Sequence, residues 1–190
     1  VKENNGHLYL IDWFKGWEGY TLEECLHGYR EDGDPLYNQV KKEIEDRGLS
    51  DYTTILYGRS HDMSSFIEDD SLDICFIDGD HTYAGCLSDI KDYYPKVKHG
   101  GYLCGHDCED INISHLFRPE DMFVDFIRKP GLIERGINTD WHGVHPGVIT
   151  AVYENFKDSV EIRQDKKGQG LPIWIKKIDK KKQSIPRFIK

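Results

Sequence analysis

The 190-residue sequence carries 34 acidic and 25 basic side chains, a formal net charge of −9, and 38% of its residues are hydrophobic. This length and hydrophobic content are typical of one folded domain and exclude an intrinsically disordered chain. Because a net negative charge gives no attraction to phosphate backbones, the composition also argues against nucleic acid as a partner.

Cysteine usage indicates a reducing compartment. The five cysteines form no Cys-x-x-Cys pair, and Cys75 and Cys104 lie in apolar, strand-like runs where a free thiol behaves as a small hydrophobe. The sequence shows no signal peptide, and no apolar run approaches the roughly 20 residues of a membrane span. We therefore expect a cytoplasmic protein with no membrane partner.

Strands and helices are predicted to alternate along the chain. Apolar and β-branched runs predict strands at 8–11, 53–57, 72–77 and 102–104, and helical spacing predicts helices at 35–47, 63–67, 83–94, 122–127 and 144–156. Two final strands, 159–163 and 171–177, predict an antiparallel hairpin. This order indicates an α/β fold, with a Rossmann-like, mostly parallel sheet flanked by helices and a C-terminal antiparallel hairpin.

The predicted domain organisation is a single domain over residues 1–178, followed by a basic tail at 179–190. The sequence opens on Val1, almost directly in the first strand, so we expect this domain to be incomplete at its N-terminus. In sheets of this class, ligands bind beyond the carboxyl ends of the strands. The polar residues that follow each strand are therefore the candidates for function.

Asp12 follows the first predicted strand. A carboxylate at this position can accept two hydrogen bonds from the hydroxyls of a ribose, as in dinucleotide-binding folds. The neighbouring Trp13 could flank an adenine ring. Alternatively, Asp12 is a solvated turn residue and Trp13 packs in the core.

Two later strands each end in ionisable residues. Asp78-Gly79-Asp80-His81 follows the strand at 72–77, and His106-Asp107 ends the strand at 102–104. Carboxylates and imidazoles that converge in this way can hold a divalent cation or act as a general base. The alternative is a capping role at the strand-to-helix turns. Further along, His142 and His145 precede a predicted helix, either as part of a lid or in an exposed loop.

These patterns resemble the class I S-adenosylmethionine-dependent methyltransferases, and within them the small-molecule branch of macrocin O-methyltransferases and cephalosporin hydroxylase-like proteins. The resemblance is carried mainly by the segment 72–107, with its Asp78-Gly79-Asp80-His81 motif, its Gly100-Gly101 turn and its His106-Asp107 ending. Leu10-Ile11-Asp12-Trp13 resembles the family's second strand with its ribose-binding acid. Gly58-Arg59-Ser60 resembles the segment that meets the adenine.

The resemblance implies an S-adenosylmethionine cofactor and a small-molecule acceptor that is methylated at oxygen. It also implies Mg²⁺ or another divalent cation where the relatives depend on metal. The implied cofactor-binding residues are Asp12, Trp13, Ser60 and Asp78, the implied metal ligands are Asp78, His106 and Asp107, and the implied base is Asp80 or His81.

In that family a first strand and a Gly-rich loop precede the position of Asp12. Here eleven residues precede it, and Gly6 is the sole glycine among them. We expect either that the loop lies upstream of Val1 or that the domain has lost cofactor binding.

Two alternatives to a methyltransferase stay open from the sequence. One is a metal-dependent, phosphoesterase-like hydrolase, suggested by Gly79-Asp80-x-His and Gly105-His106-Asp107. The other is a non-catalytic binding domain with a methyltransferase fold. The sequence identifies neither the acceptor molecule nor the oligomeric state, and it is compatible with a homo-oligomer.

Overall fold

The computed structural model describes residues 3, 5–15, 35–110, 145–164 and 172–181. The chain divides into two compact units, Val1–Phe66 and Ile67–Lys190. The predicted helix at 122–127 and the predicted turn of the final hairpin lie outside the described residues. The single domain over 1–178 stays a prediction.

The first unit is built on two parallel strands. Strand β1 (Leu8–Asp12) pairs with β2 (Thr53–Tyr57), in a register that places Asp12 opposite Tyr57. Helix α1 (Pro35–Asp46) precedes β2, as predicted. Because the two strands are parallel, both of their carboxyl ends lie at one edge, where the candidate cofactor residues follow.

A cluster of aromatic rings packs this unit. Phe14 is buried and meets Tyr37 of α1 and Tyr57 of β2 edge-on, each at a ring-centroid distance of 5.4 Å. The short helix predicted at 63–67 begins three residues earlier: helix α2 spans Ser60–Met63, and a 3₁₀ turn, Ser64–Phe66, follows it. The helix starts early because the extended backbone ends at Arg59, directly before Ser60.

The second unit contains a four-stranded sheet with the spatial order β3-β4-β6-β5. Its strands are β3 (Leu72–Ile77), β4 (Val97–His106), β5 (Glu161–Arg163) and β6 (Ile173–Lys177). Strands β3 and β4 are parallel, whereas β6 runs antiparallel to both β4 and β5. The predicted α/β fold with a parallel core and a C-terminal antiparallel hairpin is confirmed.

Strand β4 is longer than predicted, because Gly100 and Gly101 lie within it rather than in a turn before it. Gly100 has a φ of +86°, and the pairing of β4 with β3 shifts its register between Leu72 and Ile74. At Gly101 an added Cβ would lie 2.7 Å from the carbonyl oxygen of Asp73, so only glycine fits. The glycine pair therefore forms an irregularity within the strand.

Two helices cover one face of this sheet: α3 (Tyr83–Tyr93), which joins β3 to β4, and α4 (Pro146–Phe156). Between them and the sheet lies a core that includes Trp174, whose ring stacks on Phe156 at 5.9 Å. The opposite face of β3 is exposed, with Ile74 at 64% and Phe76 at 53% of full exposure. Among the described residues, no helix combines the length and the apolar character needed to cross a membrane.

Candidate functional site

The turn that leaves β3 is fixed by its own polar side chains. The Oδ1 atom of Asp80 accepts a hydrogen bond from the Thr82 amide at 2.8 Å, and the Thr82 hydroxyl accepts one from the Gly85 amide at 3.1 Å. Thr82 thus caps the N-terminus of α3. Asp80 therefore has a capping role at this strand-to-helix turn, which was the alternative to a catalytic role. Its side chain lies directly over Gly85.

Asp107 is the centre of a cluster of ionisable side chains at the ends of β3 and β4. Its Oδ2 lies 3.0 Å from Nε2 of His81, and its Oδ1 lies 2.8 Å from Nδ1 of His106 and 3.7 Å from Nδ1 of His145. Nδ1 of His106 is also 3.7 Å from a carboxylate oxygen of Asp78. The sheet therefore brings together both predicted motifs, together with a histidine from the start of α4.

The backbone of Asp107 has an uncommon conformation. Its φ is +59°, in the left-handed region that most residues avoid but that Asp and Asn tolerate best after glycine. Its amide donates a hydrogen bond to the carbonyl oxygen of Pro172 at 2.9 Å. This sharp exit from β4 directs a buried carboxylate among three histidines.

Glu109 belongs to the cluster although its sequence context did not predict it. This side chain is almost fully buried, at 2% exposure, and it accepts hydrogen bonds from the His145 amide at 3.0 Å and from Nδ1 of His145 at 2.8 Å. The rings of His81 and His145 meet edge-to-face at 4.8 Å. The sequence held one signal for it. Glu109 lies two residues after Asp107, and in an extended chain residues at this spacing point to the same side.

His145 is mostly buried rather than part of an exposed loop, and His142 lies outside the described residues. Gly147, in the first turn of α4, packs against the backbone that carries His81. A Cβ at this glycine would lie 2.4 Å from the carbonyl oxygen of His81 and 2.6 Å from the amide of Tyr83. Because Gly147 has no side chain, α4 can pack directly against the turn between β3 and α3.

A small pocket opens between this cluster and the core. Asp78, Asp80, His81, His106 and Trp174 are among the residues that line it. Nε2 of His106 and Nε1 of Trp174 are buried and make no hydrogen bond to the part of the chain that the structure describes. Buried polar atoms usually have a hydrogen-bond partner, so these two are exceptions within the described part of the chain.

Among the described residues, two sets of three side chains lie close enough together to hold a metal ion. The predicted set is Asp78, His106 and Asp107; a second set is His81, Asp107 and His145. In each set one ligand atom from each side chain lies within 4.8 Å of the other two. The donors of the predicted set, two carboxylates and an imidazole, suit a divalent cation that accepts both oxygen and nitrogen.

Three of the predicted cofactor-binding residues lie in the first unit, at the carboxyl ends of β1 and β2. Oδ1 of Asp12 accepts a hydrogen bond from the Phe14 amide at 2.7 Å, which orients the carboxylate. The guanidinium of Arg59 lies 4.9 Å from the ring centroid of Trp13. Ser60 follows as the first residue of α2. Asp12, Trp13 and Ser60 therefore share one edge of the β1–β2 pair.

The described cysteines lack the features of catalytic thiols. Burial, reinforced by the neighbouring Cys104, raises the pKa of Cys75 to about 12. Burial also raises the pKa of Cys86 and Cys108. Because the thiolate is the nucleophilic form, none of these three thiols is activated for covalent catalysis at neutral pH.

Comparison with known proteins identifies the family. An uncharacterised protein of Acanthamoeba polyphaga mimivirus is 42% identical over 48 residues, which are 25% of this chain and 22% of that protein. The O-methyltransferase NovP superposes with a TM-score of 0.51 at 18% identity, covering 92% of this chain and 61% of NovP. A proposed O-methyltransferase from Klebsiella pneumoniae superposes with a TM-score of 0.52 at 11% identity. The superposition covers 90% of this chain and 72% of the Klebsiella protein.

At these identities the structural likeness shows the fold alone, and the chain spans less than two thirds of NovP and less than a quarter of the viral relative. The decisive finding is in the sequence: residues 1–108, more than half of the chain, match the profile of a methyltransferase domain. This match favours the methyltransferase interpretation over a hydrolase. The chain belongs to the methyltransferase domain family.

Proposed function

We propose that the protein transfers a methyl group from S-adenosylmethionine to a hydroxyl group of a small molecule. Membership of the methyltransferase domain family supports the reaction class. The observation that carries the proposal is the contact of His81 Nε2 with Asp107 Oδ2 at 3.0 Å. A buried carboxylate beside an imidazole orients the ring and stabilises the imidazolium that forms when it takes a proton.

His81 is a better candidate for the base than Asp80. Asp80 is exposed and its Oδ1 already accepts a hydrogen bond from the Thr82 amide, whereas His81 is mostly buried and faces Asp107. When the Nε2 proton is donated to Asp107, the other ring nitrogen of His81 is the basic one. It would accept the proton of the acceptor hydroxyl, and Asp107 would balance the resulting positive charge.

Asp12 is the residue we assign to the ribose of the cofactor. Its carboxylate lies at the end of β1 and is held by the Phe14 amide, so it is oriented before a ligand arrives. Trp13 and Ser60 share this edge and would border the adenine. When bound, S-adenosylmethionine supplies an activated methyl group on its sulfonium sulfur.

We also propose a divalent cation at Asp78, His106 and Asp107, whose mixed donor set accommodates Mn²⁺ as well as Mg²⁺. A cation there would stabilise negative charge on the acceptor oxygen. His106 Nδ1 lies between the two carboxylates, which fixes the direction of its ring.

The test is a methyltransferase assay on the complete protein with labelled S-adenosylmethionine and a panel of phenolic and sugar hydroxyl acceptors. His81→Gln should lower kcat by about 10²- to 10⁴-fold, the usual contribution of a general base. The matched control is His99→Gln, because His99 also faces a carboxylate, Asp179 at 3.6 Å, but lies outside the cluster.

Two results would contradict the proposal. If calorimetry detects no binding of S-adenosylmethionine to the complete protein, the chain is a binding domain of methyltransferase fold rather than an enzyme. If His81→Gln retains the full rate and pH profile, the base is another residue.

A further inference from the structure

We propose that His81, Asp107 and His145 form a binding site for a divalent cation of the Zn²⁺ or Co²⁺ class. This set of ligands differs from Asp78, His106 and Asp107 in all but the shared carboxylate. The inference rests on the geometry of the cluster and does not depend on methyl transfer.

The spacing of the three side chains suits a single ion. One ligand atom from each lies within 4.8 Å of the others, and His81 Nε2 is already 3.0 Å from Asp107 Oδ2. Ligands that sit about 2.0–2.1 Å from a tetrahedral zinc ion lie about 3.4 Å from one another. Small side-chain rotations would therefore bring these donors around one cation.

The surroundings favour this set over the other. The side chains of His81, Asp107 and His145 are 15%, 10% and 15% exposed, whereas that of Asp78 is 53% exposed. Water weakens the attraction between a cation and its ligands less when the ligands are buried. The electrostatics also favour a cation. Asp107 and Glu109 are buried carboxylates, and a bound cation would compensate their negative charge.

Glu109 acts as the positioning residue for His145. Its Oε1 lies 2.8 Å from Nδ1 of His145, and its Oε2 accepts a hydrogen bond from the amide of the same residue. A carboxylate can only accept, so this pair holds the imidazole proton on Nδ1 and leaves a lone pair on Nε2. Such carboxylate–histidine pairs orient the ligands in known metal sites.

The donor set determines the class of ion. Two imidazoles and one carboxylate favour Zn²⁺, Co²⁺ or Mn²⁺ over Mg²⁺ and Ca²⁺, which prefer oxygen ligands. The three ligands come from the turn before α3, the end of β4 and the residue before α4, so a bound ion would link three segments. Binding should therefore raise the thermal stability of the protein.

The experiment uses the full protein after treatment with a chelator and titrates it with Co²⁺ and then with Zn²⁺ alone. We expect visible absorption bands of nitrogen-ligated Co²⁺, displacement by Zn²⁺, and an increase in Tm with either ion. His145→Gln should abolish these signals, and Glu109→Gln should weaken binding by about 10- to 100-fold. The matched control is His99→Gln, which lies outside the cluster and should bind as tightly as the unmodified protein.

A second measurement needs no variant. Long-range ¹H–¹⁵N spectra of the unmodified protein should show Zn²⁺-induced shifts of the imidazole nitrogens of His81 and His145, with those of His106 unchanged. Shifts confined to His106, or loss of binding in His106→Gln with retention in His145→Gln, would assign the ion to the other set and overturn the proposal. Absence of Co²⁺ and Zn²⁺ binding would overturn it as well.

Binding of S-adenosylmethionine, measured on the same samples, separates this proposal from the proposed function. Zn²⁺ binding without cofactor binding would leave the cation site in place and reject methyl transfer. A cation on His81 would also occupy the proposed base, so we expect Zn²⁺ to inhibit the methyl transfer that Mg²⁺ supports.

Discussion

Gly147 lies so close to His81 that a Cβ on the glycine would be 2.4 Å from the His81 carbonyl oxygen. This contact joins the first turn of α4 to the turn that carries the proposed base. The orientation of His81 therefore depends on a position that carries no functional group, and a single methyl group there should disturb the site.

Gly147→Ala should lower both the stability and the methyltransferase activity, because α4 must move away from the turn by a few tenths of an ångström or more. We expect a loss of about 1–3 kcal/mol in the free energy of unfolding, as in other overpacked cores, and at least a tenfold loss in kcat/KM from misplacement of the base. Urea unfolding and the methyl-transfer assay measure the two effects.

Gly100→Ala is the control for that substitution. Gly100 has open space around its Cβ position but a φ of +86°, so alanine there costs backbone strain of about 1–2 kcal/mol without crowding the site. Its activity should match that of the unmodified protein at temperatures where both are folded. Equal activity losses in the two variants would mean that the Gly147 contact does not position His81.

Asp107→Asn should separate chemistry from folding. Asparagine has nearly the same shape and tolerates a positive φ, so the protein should still fold, with a loss of about 1–3 kcal/mol because an amide group replaces one of the two oxygens that face imidazoles. The activity should fall by about 10²-fold or more, since the amide cannot balance an imidazolium on His81. The measurement is kcat as a function of pH, with Asp73→Asn, an exposed residue paired with Lys98, as the control.

Asp12→Asn should weaken S-adenosylmethionine binding. The amide oxygen can still accept the hydrogen bond from the Phe14 amide, but the charge that strengthens hydrogen bonds from ribose hydroxyls is lost. A charge-assisted hydrogen bond contributes about 1.5–3 kcal/mol, so we expect Kd to rise by about 10- to 100-fold. Calorimetry measures this Kd. The control is Asp51→Asn, which changes an exposed acid of the same unit and should leave Kd unchanged.

The thiols of Cys75 and Cys86 should resist alkylation in the folded protein. With a pKa of about 12 at Cys75, roughly one thiol in 10⁴ is ionised at pH 8. Peptide mapping after treatment with iodoacetamide should show label on both residues only in urea. Rapid labelling of Cys75 under native conditions would mean that its strand opens more readily than its packing implies.

The strands of the fold were predictable where hydrophobic runs were continuous. Residues 53–57 and 72–77 match β2 and β3 to the residue, because their β-branched and apolar side chains have no competing pattern. The start of β4 was missed, because Gly100 and Gly101 are signals for a turn and their use as a bulge depends on pairing with β3.

The candidate site was predictable where it follows strands directly, as at His81, His106 and Asp107. Glu109 and its contact with His145 were not, because the two residues are 36 positions apart and meet only through the packing of α4. The structural role of Asp80 was also ambiguous in sequence. An aspartate two residues before a helix cap and a catalytic aspartate look the same until the Thr82 amide is placed.

The left-handed backbone at Asp107 limits how this protein can vary. Folding at that position accepts glycine, asparagine and aspartate at low cost, whereas β-branched residues are excluded by their own Cβ substituents. In the proposed mechanism His81 needs a neighbouring acceptor that carries charge, and among glycine, asparagine and aspartate only aspartate provides it. The backbone shape and the proposed chemistry at position 107 thus both favour aspartate, through two unrelated requirements.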